Sequence, residues 1–259
     1  MINKEIFSYR DSRGKLGGFA NLFAMEMSRW WKSKDWIFQI ILWTVVLNIS
    51  LLGIMQDSTP EGFIGMFGLM FGMFPSIAVI IIMQDVIIGE RETGTIQWIL
   101  SKPCSRMSFI TSKLLSNSIG VIVSMVIVPG FVGYLLIFII KGNVIDVLSY
   151  IAGLGILSLL LLFYLTLTLM LGTINQQRGL AIGLPLLFNF GIITLFQNIK
   201  ELFKYVPQGL FFPINTDTSL VTSIMLGKSV ETYLPLILTT VYIVIFVIIS
   251  LYKFNKEEF

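Results

Sequence analysis

The sequence has no histidine, a single cysteine and few charged side chains, and each shortage excludes a class of function. Without histidine there is no imidazole base and no histidine metal ligand. One cysteine, Cys104, excludes both a disulfide within the chain and a zinc site built from cysteines. Only 13% of the 259 residues are charged and 55% are hydrophobic, whereas soluble domains are about 25% charged. This composition predicts a membrane protein, and a net charge of +3 is too small to indicate nucleic-acid binding.

The few charges separate long uncharged stretches. Six of these contain 21 to 31 residues, and a bilayer core about 30 Å thick needs roughly 20 apolar residues at about 1.5 Å each. We therefore expect an all-α membrane protein with six transmembrane helices. The expected transmembrane domain covers 36–252, with spans at about 36–56, 62–85, 112–140, 147–173, 179–198 and 232–252.

Lysine and arginine are distributed unevenly around these spans. Fourteen of the 18 lie before the first span, after the last span, in the connection between spans 2 and 3, or in the connection between spans 4 and 5. The other four lie in the remaining connections. Cytoplasmic segments of membrane proteins carry the excess of basic residues. We therefore expect both termini, including the tail at 253–259, in the cytoplasm.

Two segments outside the spans also carry helical patterns. Residues 1–35 are expected to form a cytoplasmic arm followed by an amphipathic interfacial helix, with Glu26, Arg29 and Lys32 on its polar side. The alternative is a basic segment that merely precedes the first span. The connection 200–231 is long, and we expect two short helices there on the outer face, one of them at Ser219–Leu226.

The densest polar stretch follows the second span. After Asp85 come Gly89-Glu90-Arg91-Glu92-Thr93-Gly94-Thr95 and then the apolar residues Ile96, Ile99 and Leu100. The pattern predicts a helix end, a turn at the glycine and a short helix beneath the membrane, whose apolar side suits a groove of another protein. An ordinary solvated loop is the competing interpretation.

This stretch resembles the signature of the ABC-2 family of ABC-transporter permeases. The resemblance is carried by Glu90-Arg91-Glu92-Thr93-Gly94-Thr95, Leu100-Ser101-Lys102-Pro103, Ser105-Arg106 and Lys113. The order of the elements is also that of the family: an amphipathic segment with Glu26 and Arg29, six helices and a long outer loop.

The resemblance implies roles for particular residues. In ABC-2 permeases the loop after the second helix contacts the ATPase subunit. The residues expected to couple to the ATPase are therefore Glu90, Arg91, Glu92, Thr93, Gly94 and Thr95. Helices 2 and 5 usually line the pathway in that family, which suggests Phe67, Phe71, Phe188 and Asn189 as lining residues.

No ATP-binding motif is complete in this chain. Gly227-Lys228-Ser229 matches the end of a phosphate-binding loop, but position 222 is threonine where the motif requires glycine. We therefore expect a transport subunit without enzymatic activity, cofactor or metal of its own. The resemblance implies two copies of an ABC ATPase that bind ATP and Mg²⁺, a second permease subunit and a lipid bilayer as partners.

The expected function is the permease subunit of an ABC exporter in a bacterial plasma membrane. Spans without charge suit amphipathic or hydrophobic cargo, and we favour a peptide. Drug or sodium efflux within the same family is the alternative. An intramembrane enzyme is a third hypothesis, with Glu90 and Glu92 as metal ligands in an exposed loop. Charge-free span centres argue against an ion-coupled carrier.

Overall fold

The fold is that of a computed structural model, which describes residues 17–52, 59–142, 145–175, 177–196, 198–215 and 217–257. Over these residues the chain is helical and contains no strand. The α-helices, in chain order, are α1 (Phe19–Lys32), α2 (Asp35–Leu52), α3 (Pro60–Glu92), α4 (Thr95–Leu100), α5 (Arg106–Val121), α6 (Val128–Lys141), α7 (Val147–Ile174), α8 (Arg178–Phe196), α9 (Leu220–Met225) and α10 (Leu234–Lys256).

Among the described residues, five helical stretches are long and apolar enough to cross a membrane. They are Glu61–Glu92, Arg106–Ile140, Val147–Ile174, Arg178–Phe196 and Leu234–Lys256, and they correspond to five of the predicted spans. The first predicted span, 36–56, is represented by α2, whose apolar part at Asp35–Ile49 is shorter. Because 53–58 lie outside the described residues, the count of six stays a prediction.

The second span continues well beyond its uncharged run. α3 contains 33 residues, which corresponds to about 50 Å of helix. Hydropathy predicted a shorter span, at 62–85. α3 ends where Gly94 adopts a φ of 70°, a left-handed conformation that glycine reaches without steric cost. The predicted turn at this glycine is present, and α4 begins directly after it. Glu90 and Arg91, however, lie in the last turns of α3 and not in a loop.

The third span is continuous but irregular in its middle. Residues Ile122–Ile127 form a π-helical segment between α5 and α6, immediately before Pro129, which has no N–H to donate to the preceding turn. The Asn48 side chain of α2 donates a hydrogen bond of 3.3 Å to the Pro129 carbonyl. This bond ties α2 to the first turn of α6, directly after the irregular segment.

α7 lies at the centre of the bundle, between α3 and α10. Its Tyr150 packs against Phe67 of α3, with ring centroids 6.1 Å apart, and its Tyr164 is fully buried. α7 contacts both α3 and α10, while Leu148 and Ile151 near its start remain exposed. The charged ends of α3 and α10 are therefore held at fixed positions relative to each other.

The connection between α8 and α10 folds back against the bundle. It contains two 3₁₀ turns, Lys200–Tyr205 and Pro207–Leu210, and the short helix α9. Ser219 caps α9 by accepting a hydrogen bond from the Thr222 amide, so that α9 falls within the predicted segment Ser219–Leu226. At the other end of the chain, 1–16 lie outside the described residues. α10 continues to Lys256, past the expected end at 252.

Candidate functional site

A lysine is buried at the point where α1, α3 and α5 meet. The Lys113 side chain of α5 is only 1% exposed. Its ammonium donates hydrogen bonds of 2.7 Å to Glu90 Oε1 on α3 and 2.9 Å to Glu26 Oε1 on α1. Buried charges are retained only when they are paired and hydrogen-bonded. The three side chains therefore form one charge network that joins three helices.

Arg29 completes this network from the solvent side. Its Nη1 lies 3.2 Å from Glu90 Oε1 and 3.6 Å from Glu26 Oε2, and its side chain is 58% exposed. Two carboxylates and two cations balance the charge. Removing one partner of such a group leaves an uncompensated buried charge, which costs about 3–5 kcal/mol. The network thus makes the positions of α1, α3 and α5 depend on one another.

The network corrects the orientation expected for α1. Glu26 was expected on a polar side of this helix together with Arg29 and Lys32, but it is buried against α5. Trp30 also faces α5, where its Nε1 donates to Asn117 Oδ1 at 3.2 Å. A Cβ on Gly120 would lie 2.5 Å from the Trp30 ring, so the close approach of α1 and α5 requires glycine there.

Arg91 binds the end of α7. Its guanidinium donates to the carbonyls of Gly172, at 3.0 Å, and Thr173, at 3.4 Å. These carbonyls belong to the last turn of α7 and have no partner within the helix. Arg91 also forms an ion pair with Glu257, the residue after α10. Arg91, one of the residues expected to couple to the ATPase, therefore joins the ends of three helices of this chain, and its coupling role stays a prediction.

Arg106 holds the same C-terminal segment. It donates to the Asn255 carbonyl at 2.8 Å and to the Glu257 carbonyl. Arg91 and Arg106 therefore both contact the end of α10, one from α3 and one from α5.

Glu92, Asp85 and Arg178 form an exposed group between α3 and α8. Arg178, at the start of α8, donates to both carboxylate oxygens of Glu92 at 2.6 to 3.1 Å. Its Nη2 also lies 3.1 Å from Asp85 Oδ1. Sequence reasoning gave Asp85 no role; the structure places it in this link between α3 and α8. Glu92 and Asp85 remain more than half exposed.

Thr93, Gly94 and Thr95 form the corner between α3 and α4. The Thr93 hydroxyl lies 3.0 Å from the Gly89 carbonyl and 2.8 Å from the Thr95 hydroxyl. These bonds satisfy polar groups at the helix end, where the backbone lacks partners. They fix the direction in which α4 leaves α3.

α4 presents a different face from the one expected to dock. Ile96 and Ile99 are buried within this chain, so the apolar side predicted to enter a partner's groove already packs against the bundle. Trp98 is 61% exposed instead, and Lys102 Nζ lies 3.4 Å from the centre of its ring. The surface available to a partner is therefore aromatic and basic.

The four side chains expected to line a pathway pack inside this chain. Phe67, Phe71 and Asn189 are fully buried, and Phe188 packs partly against the core. Asn189 Oδ1 accepts from the Tyr164 hydroxyl at 2.9 Å, and its Nδ2 donates to the Met73 carbonyl at 3.3 Å. Asn189 thereby joins α8 to α7 and α3. Pathway lining stays a prediction for all four.

A cavity of about 670 Å³ opens beside the charge network. α1, α2, α3, α5 and α8 contribute its walls. Its lining residues include Glu26, Trp30, Asp35, Ile82, Asp85, Val86, Glu90 and Arg178. Trp30, Asn117 and Asp35 were not selected from the sequence. The available signal was the helical spacing of Lys113, Ser116 and Asn117 at the start of an otherwise apolar span, which indicates a polar face directed inward.

A comparison with known protein families assigns the chain to one of them. A family model described as "ABC-2 family transporter protein" matches residues 11–259. The chain belongs to the ABC-2 family of transporter proteins. No curated protein matches it. An ABC-2 protein of this kind is a multi-pass membrane permease subunit of an ABC transporter, and its family implies an ABC ATPase as its partner. Transport is the activity of such a subunit.

Proposed function

We propose that this ABC-2 permease is the membrane subunit of an exporter that moves amphipathic cargo, preferentially a peptide, out of a bacterial cell. The export direction rests on the resemblance of the chain to ABC-2 exporters. The cargo class rests on the charge-free centres of the spans, which suit molecules with a large apolar surface. The same charge-free centres argue against coupling to an ion gradient. Drug efflux by the same route is the alternative cargo class.

The observation that carries the coupling role is the construction of the α3–α4 corner. Glu90 is buried in the network with Lys113, and four residues later the chain turns at Gly94 and presents Trp98 to the outside. A displacement imposed on α4 therefore reaches α3 directly and α1 and α5 through buried ion pairs. Such packed elements switch between discrete arrangements and do not deform continuously.

The complete transporter contains two ATPase copies and a second permease subunit in this proposal. α2 supplies the sixth span. The segments rich in lysine and arginine, including both termini, lie in the cytoplasm. ATP draws the two ATPases together, each ATPase moves an α4 helix, and the helix bundles alternate between inward-facing and outward-facing states. ATP and Mg²⁺ are bound by the ATPases and not by this chain.

Coupling is tested with Trp98→Ala and Glu92→Ala in proteoliposomes that contain the complete transporter. Both residues are exposed at the corner, so each variant should insert and assemble normally. We expect cargo-stimulated ATP hydrolysis to fall by roughly two- to thirtyfold, the range for changes of 0.5–2 kcal/mol in coupling. Glu201→Ala removes an exposed carboxylate from the connection before α9 and should leave stimulation unchanged. Full stimulation in both corner variants would remove the coupling assignment.

A further inference from the structure

α8 is held to the rest of the chain along one narrow stripe. Its three buried residues, Ala181, Pro185 and Asn189, follow one another at intervals of four and therefore lie on one face of the helix. Asn189 is the polar member of this stripe. The long side chains on the other faces are exposed, among them Leu180, Leu184, Leu187 and Phe190. Because α7 buries many more of its residues, α8 is the more loosely held of the two, and a few bonds decide its position.

A buried hydrogen-bond network holds Asn189. Its side-chain amide binds the Tyr164 hydroxyl of α7 and a carbonyl of α3. Gln208, in the second 3₁₀ turn of the connection between α8 and α10, places its Nε2 3.1 Å from the same hydroxyl and 2.9 Å from the Phe188 carbonyl of α8. All three polar side chains are fully buried. The network therefore fastens α8 to α7, to α3 and to the connection at one level of the helix.

The orientation of the Gln208 amide is fixed, and it leaves one atom without a partner. The Phe188 carbonyl can only accept a hydrogen bond, so the atom that faces it must be the Nε2 donor. The other amide atom, Oε1, is buried and has no hydrogen-bond partner among the described residues. A buried acceptor of this kind raises the free energy of the conformation that contains it. The network therefore holds α8 without being fully satisfied, which is typical of a bond set that opens and closes.

The support beneath Gln208 is rigid. A Cβ on the next residue, Gly209, would lie 2.0 Å from the Phe203 carbonyl oxygen, because the connection folds tightly on itself there. A Cβ on Gly72 of α3 would lie 2.6 Å from the Phe211 ring, so the connection also packs closely against α3. The connection and α7 thus carry the fixed half of the network, and α8 is the element that can move away from it.

The start of α8 is joined to the α3–α4 corner. Arg178, its first residue, forms exposed ion pairs with Glu92 and Asp85. Asn189 lies 11 positions later, which corresponds to about 16 Å along the helix. A movement of the corner therefore reaches the start of α8 directly, and the network around Asn189 resists the same movement farther along.

We propose that Tyr164, Asn189 and Gln208 form a latch that holds α8 against α7 and the connection, and that this latch opens when the transporter releases its cargo. The three side chains act as positioning residues, because they set which of two arrangements α8 adopts. The open latch distinguishes the outward-facing state from the conformation described above. The proposal rests on the proposed function, since it assigns the latch to the release step of transport.

The test measures the position of α8 by double electron–electron resonance on the complete transporter in nanodiscs. Cys104→Ser removes the native thiol. Nitroxides are attached through Leu195→Cys, near the end of α8, and Ile139→Cys, near the end of α6, where both native side chains are mostly exposed. Labelled permease is diluted with unlabelled permease so that each transporter carries one labelled pair. A non-hydrolysable ATP analogue with Mg²⁺ is added at the concentration that gives equal closed and open populations.

Tyr164→Phe and Gln208→Met each remove buried hydrogen bonds of the latch with little change of shape. At that nucleotide concentration, each should raise the ratio of open to closed transporters about three- to twentyfold, the range for hydrogen bonds between membrane helices. Thr166→Val is the matched control, because this buried hydroxyl donates to carbonyls of its own helix. The control should leave the ratio unchanged.

A second label pair distinguishes a latch from a general role in folding. Leu180→Cys and Lys253→Cys place nitroxides near the start of α8 and the end of α10. Without nucleotide, the distance between them should be the same in the latch variants and in the parent protein. Equal broadening at both label pairs would overturn the latch, because the three residues would then only stabilise the fold.

The remaining outcomes separate the latch from the proposed function. An unchanged ratio in both latch variants, or a single distance at every nucleotide concentration, would overturn the latch. If the ratio responds as expected but the transporter moves no cargo in proteoliposomes, the proposed function alone is refuted. Transport of cargo with an unchanged ratio would refute the latch alone.

Discussion

Lys113 and Glu90, which lie 23 positions apart, form an ion pair of 2.7 Å in which both side chains are nine-tenths or more buried. Glu26 binds the same ammonium from α1. The pair therefore joins the end of α3 to α5 and, through α5, to the helix that precedes the first span. In the proposed coupling, the stability of the protein and the transmission of movement from α4 depend on these same few atoms.

Replacing Lys113 by methionine should strongly destabilise the protein. The change keeps an unbranched side chain, one atom shorter, but leaves Glu26 and Glu90 buried without the lysine cation, which costs about 3–5 kcal/mol. Denaturant unfolding of the purified protein in detergent measures the loss. Lys102→Met removes an exposed lysine above Trp98 and should change the free energy of unfolding by no more than about 1 kcal/mol. Similar losses in the two variants would contradict a buried network.

Arg91→Ala and Arg178→Ala compare a buried with an exposed guanidinium. Arg91 satisfies two carbonyls at the end of α7 and pairs with Glu257, so its loss should cost about 2–3 kcal/mol. Arg178 pairs with two carboxylates that are more than half exposed, and its loss should cost at most about 1 kcal/mol. Unfolding in detergent ranks the two. The reverse order would mean that Arg91 does not hold the end of α7.

Replacement by alanine should have opposite effects on stability at Gly209 and at Gly155. A Cβ on Gly209 would lie 2.0 Å from the Phe203 carbonyl oxygen, whereas Gly155, within α7, has open space around it. Gly209→Ala should therefore destabilise the connection by about 1–3 kcal/mol. Gly155→Ala should stabilise its helix by about 0.5–1 kcal/mol. Thermal unfolding of the two purified variants provides the comparison, and an equal midpoint would refute the close approach at Gly209.

Cys104 reports the orientation of the chain because it is the single cysteine. We expect an impermeant maleimide to label it in permeabilised cells but not in intact cells, which places the α4 end in the cytoplasm. Burial raises the pKa of the Cys104 thiol, and the thiolate is the reactive form. Labelling in permeabilised cells should therefore be slow at neutral pH and become faster as the pH rises. Rapid labelling in intact cells would reverse the orientation.

The sequence predicted most helices because a bilayer sets the length of a transmembrane helix, and uncharged runs of that length can be read directly from the sequence. It did not predict where α3 ends. Hydropathy changes at the membrane boundary near 85, but a helix ends where its backbone turns, and here that is at Gly94. Glu90 and Arg91 were therefore placed in a loop when they belong to a helix.

Periodicity also could not show which polar residues face inward. Glu26 was expected on the polar side of α1 because it lies at a spacing of three from Arg29, which is followed at the same spacing by Lys32. Its partner Lys113 lies 87 positions away, and no local pattern in one sequence connects the two. The same limit applies to Arg91, whose acceptors are backbone carbonyls of α7 and carry no residue-specific signal. Long-range pairs of this kind become visible only in the folded chain.

Photo-crosslinking from position 98 tests most directly whether this permease is coupled to a separate ATPase through the α3–α4 corner. The transporter is expressed with p-benzoylphenylalanine in place of Trp98, and the crosslinked partner is identified by mass spectrometry. Tyr233, exposed at the start of α10, is the matched aromatic control at the other end of a helix about 35 Å long. We predict an ABC ATPase crosslinked at position 98 and not at position 233. An ATPase that is absent at 98, or captured equally at 233, would contradict the coupling role of this corner.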